Sequence, residues 1–178
     1  MEKKEFASAT KKWQEKKGVI YFSVTSDGTT GEEWISRLES KGFRVRDRAK
    51  NVLRSKGFKP TAGITYEVAV LKGELFSDNG RITENIREEA KNRGFITPDP
   101  EIACLIREKF SDKELEAVGF YWIAVMHEPI KDSDGDPELL NANRLDVGSW
   151  LGTNCDSPGF KWGRCSGFAF VVSQVSNS

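Results

Sequence analysis

Residues 139–174, LLNANRLDVGSWLGTNCDSPGFKWGRCSGFAFVVSQ, constrain this chain more than any other stretch. They fall into two unlike halves. Up to about Ser166 the sequence is rich in Gly, Asn, Asp, Ser and Arg, with Trp150, Phe160 and Trp162 set among them. Residues 168–172, FAFVV, are then an unbroken apolar run. Glycines bring no side chain to bury and cost the most backbone entropy to order. The first half is therefore predicted to be a long irregular loop region displayed at the surface, within bounds of about 139–167. The second half is a strand that clamps it. The remainder must then supply a scaffold with its own core.

With 178 residues the chain fits one domain, 1–178. The segment 1–17 reads as a basic helix, regular from residue 3, with Phe6, Ala9 and Trp13 on one side and its lysines solvated. The run 19–24, VIYFSV, is a strand by its β-branched and aromatic content. Thr29 or Thr30 caps a helix over 31–41 that turns Trp34, Ile35 and Leu38 inward, and Gly42 stops it. A second helix over 47–56 points Ala49, Val52 and Leu53 inward. Residues 64–71, ITYEVAVL, are a strand, and a charged helix over 82–92 ends at Gly94. In the run TPDP, Thr97 or Asp99 caps a helix with Pro98 or Pro100 in its first turn, which runs to about residue 110 carrying Ile102, Leu105 and Ile106. Ser111 and Glu114 have the spacing of a capping box for a short helix ending near Val118. Residues 120–126, FYWIAVM, form the most apolar strand and belong at the centre of a sheet. Residues 127–140 read as a polar loop, and the last strand as 168–175. The sum is an α+β domain: helices flanking a small antiparallel sheet whose N- and C-terminal strands pair.

The 27 basic and 27 acidic residues cancel, so no overall field draws the chain to nucleic acid or to an anionic membrane. No segment approaches the roughly 20 apolar residues that span a bilayer. The basic N-terminus has no apolar run behind it and is not a standard secretory signal. The expectation is a cytoplasmic protein, or one reaching a cell surface or virion by a non-standard route. Cys104 lies in an apolar helical run and reads as a buried thiol. Cys155 and Cys165 are expected to be free thiols in a reducing compartment, and to bridge only in an oxidising one.

Two short motifs carry alternative chemistries. Asp132, Asp134 and Asp136 alternate like the start of a calcium loop, because hard Ca²⁺ takes several oxygens from a flexible turn. Pro137 stands where such a loop needs Gly, and Asn143 where it needs Glu, so a plain turn is the simpler reading. The alternative function is a calcium-dependent carbohydrate-binding module. His127 beside Glu128 suggests a small hydrolase, but no nucleophile motif accompanies the pair. No phosphate-binding glycine motif occurs. The run SDGTTGEEW precedes a helix, but Glu32 and Glu33 in its first turn repel an anion.

The run GSWLGTNCDSPGFKWGRCSGFAFVVSQVS resembles the variable region of proteins diversified by retroelements. In that family a reverse transcriptase copies a template with errors at adenines, and the copy replaces the end of the target gene. The framework of the resemblance is Arg144, Gly148, Trp150, Leu151, Pro158, Gly159, Trp162 and the closing Gly167, Phe168, Ala169, Phe170. It implies a non-enzymatic, ligand-binding protein with a C-type lectin fold. Its contacts would be Asn143, Leu145, Val147, Ser149, Gly152, Asn154, Cys155, Phe160, Gly163 and Cys165, held by Arg144, Trp150, Trp162 and Phe168. Adenine errors in AAC codons yield only codons ending in C, and all ten contact residues belong to that set. Trp150 and Trp162 do not, which suits fixed framework. The implied partner is a protein or other cell-surface ligand, with no cofactor. The Glu-Pro-Asn of calcium-dependent sugar lectins is here Glu128-Pro129-Ile130, which lacks the amide ligand.

Overall fold

A computed structural model describes residues 12–145 and 148–176. In chain order the elements are β1 Gln14–Lys16, β2 Val19–Asp27, α1 Gly31–Ser40, β3 Arg44–Val45, α2 Asp47–Arg54, β4 Ala62–Lys72, α3 Thr83–Asn92, α4 Glu101–Lys109, α5 Asp112–Val118, β5 Trp122–Val125, β6 Ile130–Lys131, β7 Pro137–Leu145, β8 Gly148–Cys155 and β9 Ser166–Ser176. The fold is mixed α+β. All the strands join one sheet in the order β1-β2-β4-β9-β5-β7-β8-β3, with β6 beside β7. β9 runs parallel to β5 and β3 parallel to β8, while the other pairs are antiparallel.

The central strands are buried on both faces, which is why they read as unbroken apolar runs. β4 sends Tyr66, Val68 and Val70 to one face and Ala69 and Leu71 to the other. β5 likewise divides Ile123 and Val125 from Ala124, with Met126 just after it on the Ala124 side, and β9 divides Ala169 and Val171 from Phe168 and Phe170. The first face is covered by α1, α2, α4 and α5 through Trp34, Leu38, Val52, Ile102, Ile106 and Leu115. The second is covered by Ile86 and Ala90 of α3 and by Trp162. Thr30 and Glu33 form a reciprocal capping box on α1. The next residue, Gly31, lies against α2 so closely that a Cβ there would sit 1.8 Å from the Leu53 carbonyl oxygen.

The sheet is larger than expected, and its terminal strands do not pair. β4 lies between β2 and β9. The burial pattern explains this. From Ser23 onward β2 alternates exposed and buried residues, as suits a strand near an edge, whereas β4 needs cover on both faces. The basic helix expected over 1–17 also fails where it is described. Gln14–Lys16 is a strand, joined to β2 by Lys17 at φ 51° and Gly18 at φ 78°. Two positive φ values in a two-residue connection are the hairpin geometry that matches strand twist. Residues 1–11 of that expected helix lie outside the described residues.

The third correction concerns 127–167, expected to be a polar loop and then an irregular one. Most of it is sheet. β7 and β8 form an antiparallel hairpin with eight registered pairs, from Glu138 opposite Cys155 to Leu145 opposite Gly148. Leu140, Ala142 and Leu151 bury one face, and Leu139 buries the other.

Candidate functional site

The segment between β8 and β9, residues 156–165, is tied down by backbone. Five backbone hydrogen bonds carry the attachment, one of them from Tyr121 N–H to the Cys165 carbonyl. Glu84 N–H donates to the Pro158 carbonyl and Thr83 N–H to that of Phe160, while Trp162 N–H donates to the Arg81 carbonyl and Asp156 N–H to that of Pro137. The N-terminus of α3 has no side-chain cap, and this segment satisfies two of its free N–H groups. Arg87 forms an ion pair with Asp156 at 2.9 Å. Trp162 is buried, its Nε1–H donates to Thr83 Oγ1 at 2.9 Å, and its ring meets Phe160 and Phe168 edge-on. Trp162 and Phe168 are thus buried and packed together beneath this segment.

Trp150 is not a loop anchor. It lies half-buried on β8, with the Arg46 guanidinium 4.6 Å and that of Arg44 5.3 Å from its ring. Arg144 is half-buried at the end of β7, stacked 4.5 Å from the Tyr121 ring and donating to the Phe120 carbonyl. Among the expected contact residues, Leu145, Cys155, Phe160, Gly163 and Cys165 are exposed, and Ser149 and Asn154 are half-buried. Asn143 and Gly152 are recessed. The cause is the hairpin: pairing along its whole length turns alternate residues inward. A Cβ on Gly152 would lie 2.9 Å from Asn143 Nδ2 and 3.2 Å from Asn141 Oδ1. Val147 lies outside the described residues. Cys155 and Cys165 are free, and Cys104 is a free buried thiol whose pKa burial pushes up.

One row of side chains crosses five strands on the second face. Ser166 of β9 registers with Trp122 of β5, Trp122 with Asn143 of β7, Asn143 with Trp150 of β8, and Trp150 with Arg44 of β3. At about 4.8 Å per strand the row spans roughly 19 Å. Asn143 Nδ2 donates to Asn141 Oδ1 at 2.7 Å, and Asn141 Nδ2 donates to Asn154 Oδ1. Four polar atoms of the row are buried without a partner: Trp122 Nε1, Asn143 Oδ1, Trp150 Nε1 and Ser166 Oγ. Among the described residues only eight such side-chain atoms exist, so half of them lie in this row. Beyond Trp150 a groove of about 620 Å³ opens at the sheet edge, lined by Val45, Arg46, Asp47, Arg48 and Thr153.

Sequence reasoning missed Trp122, Ser166, Arg44 and Arg46. The run Phe43-Arg44-Val45-Arg46 carries the signal for the last two. Arginines on either side of a buried Val45 share a face at strand period.

The two alternative motifs do other work. His127 is wholly buried: Nδ1 meets the Glu128 carbonyl at 2.6 Å, and Nε2 accepts from Leu140 N–H at 2.9 Å. Burial lowers its pKa to about 4, so both nitrogens of the neutral ring are committed to backbone. Asp132 Oδ1 accepts from the N–H groups of Asp134 and Asp136, each at 2.9 Å, which closes the turn. Its other oxygen faces Arg48 at 3.8 Å, where a cation would meet a like charge. Among the described residues no three His, Cys, Asp or Glu side chains converge as metal ligands. Nor is any described helix long and apolar enough to cross a membrane.

The chain matches no protein-family model, no curated protein and no solved structure.

Proposed function

We propose that this chain is a non-enzymatic, ligand-binding protein of the retroelement-diversified kind, with a C-type lectin-like scaffold and a protein surface as its ligand. In this reading β4 is the scaffold's opening strand, β9 returns to pair with it, and residues before Ala62 are an addition. The registered β4–β9 pair and the central β5 support that reading.

One observation carries the functional part. Five residue positions assigned to the ligand, Leu145, Cys155, Phe160, Gly163 and Cys165, are exposed, while the framework residues Trp162 and Phe168 are 4% and 0% exposed. No side chain of Leu145, Cys155, Phe160 or Cys165 belongs to a buried core cluster, although the Phe160 ring meets Trp162 at its edge. Leu145 and Cys155 lie on the hairpin, and Phe160 and Cys165 on a segment held to α3 by backbone bonds and by the side chains of Asp156 and Trp162. Such a segment tolerates replacement of its other side chains without loss of its path.

Sequencing sibling copies of the gene from the same source tests this. Codons 145, 149, 154, 155, 160, 163 and 165 are expected to vary far more than those of the buried Ile123 and Val125. A reverse-transcriptase gene is expected nearby, with a repeat of this gene end that differs at adenines. Equal variation at the exposed and buried positions would overturn the proposal.

A further inference from the structure

Buried polar groups are normally hydrogen-bonded, and one left unpaired keeps its full desolvation cost. Four in a single row call for a common cause. The charges around the row point the same way. Among the described arginines, Arg37, Arg48, Arg54, Arg81, Arg87, Arg93 and Arg107 all form ion pairs. Arg44, Arg46, Arg144 and Arg164 form none among the described residues; Arg144 donates to the Phe120 carbonyl, and Arg44 and Arg46 flank Trp150. A Cβ on Gly152 would lie 3.6 Å from Arg46 Cδ, and one on Gly148 3.5 Å from Arg44 Nε. Both guanidinium stems therefore run over the face that carries Asn143 and Trp150.

We infer that the row Ser166, Trp122, Asn143, Trp150 with Arg44 and Arg46 is the binding site for the carboxylate side chains of an acidic, extended peptide segment. The inference rests on the ligand-binding reading above and names the chemistry of its ligand. Two indole N–H groups, one hydroxyl and two unpaired guanidiniums make the site rich in donors. A carboxylate offers acceptors only and takes a guanidinium fork in two parallel bonds. Asn143 fits either polarity. Its amide is the first of a relay through Asn141 to Asn154. Turning all three amides keeps both internal bonds and presents N–H in place of the carbonyl. Trp122 and Trp150 are both half-buried, so part of each ring reaches the surface beside its buried N–H. Two guanidiniums already pack on the Trp150 ring, the surface on which a sugar would stack, and exposed Leu145 at the hairpin tip supplies an apolar contact for a chain. A peptide is thus favoured over an acidic glycan.

The test uses the whole chain, labelled with ¹⁵N and titrated with a Glu-rich decapeptide. A Gln-rich decapeptide and an oligogalacturonate are run in parallel. The chain has five tryptophans, hence five indole N–H signals, assigned by Trp→Phe variants. The Glu-rich peptide is expected to shift the Trp122 and Trp150 signals and to leave Trp34 and Trp162 unmoved. R46Q and R44Q, with unchanged melting temperature, are expected to weaken it at least tenfold each. The Gln-rich peptide is expected not to bind. Binding of the glycan in place of the peptide, equal binding of both peptides, or no shift at either indole would overturn the inference. Each of those results leaves the codon comparison above standing, so the two readings fail separately.

Discussion

His127 is the only histidine in the chain, and its neutral state is required by its place. Burial holds its pKa at about 4, against about 6.5 in an unfolded chain. Between those values the unfolded state binds the extra proton. The stability that the neutral ring contributes is full above about pH 6.5 and is lost as pH falls toward 4. Between pH 7 and pH 5 the loss amounts to about 2 kcal/mol. Urea unfolding across that window measures it, above the range where ordinary carboxylates titrate. His127→Gln is expected to flatten the slope even if its baseline stability is lower, and an unchanged slope would count against the assignment. Gly152 sets a second residue-scale expectation. Gly152→Ala brings a methyl against two flexible amide ends rather than against backbone, so the hairpin is expected to keep its register. The cost is about 1 kcal/mol, read as a shifted urea midpoint with unchanged slope.

Among the elements, α4 does most to fix the hairpin to the core, through Arg107. This arginine is wholly buried, and burial lowers its pKa. It donates to the Asn143 carbonyl at 2.8 Å and the Phe110 carbonyl at 2.7 Å, and pairs with Asp112 at 3.1 Å. Arg107→Met keeps the stem but orphans both carbonyls, and is expected to cost about 3 kcal/mol by urea unfolding. A loss under about 1 kcal/mol would show that the tether is idle. No feature of the sequence marked Arg107 as more than a charge near a helix end. The helices α1, α2 and α4 and the strands β4, β5 and β9 were legible because their apolar residues repeat at the helix period or run without a break. The hairpin β7–β8 was not. Its inward positions hold Asn141, Asn143 and Gly152, which are polar or bear no side chain, so the strand face reads as a loop. β1 was hidden for a related reason: its three residues QEK are all exposed and carry no apolar alternation. The exposed half of the candidate site, Leu145 with 155–165, was recognisable from composition. The buried row was not, since register across five strands leaves no trace in any one of them.

Across the whole molecule, burial falls away from the centre of the sheet toward both edges, and this gradient separates what must stay fixed from what is free to change. β4, β9 and β5 carry side chains that are fully buried on both faces, including Val68, Leu71, Ala124, Val125, Phe168 and Ala169. β8 loses that cover along its length. Leu151 is buried and paired on both sides, whereas β3 ends at Val45 and leaves the outer edge of 153–155 with no strand beside it among the described residues. Local opening is cheapest where buried contacts are few, so the sheet should open in steps. Native-state hydrogen exchange is expected to find the amides of Ala69, Val70, Ala124, Phe168 and Ala169 exchanging only by global unfolding. Those of Gln14–Lys16 and the outward-facing amides of 153–155 should exchange by local opening, at a free energy lower by several kcal/mol. Equal protection at both sets of sites would mean that the displayed edge and the centre unfold together. A binding surface at that edge would then put the stability of the whole chain at risk with every replacement. With the gradient in place, a substitution at Asn154 or Cys155 changes the surface and leaves the centre of the sheet as it was.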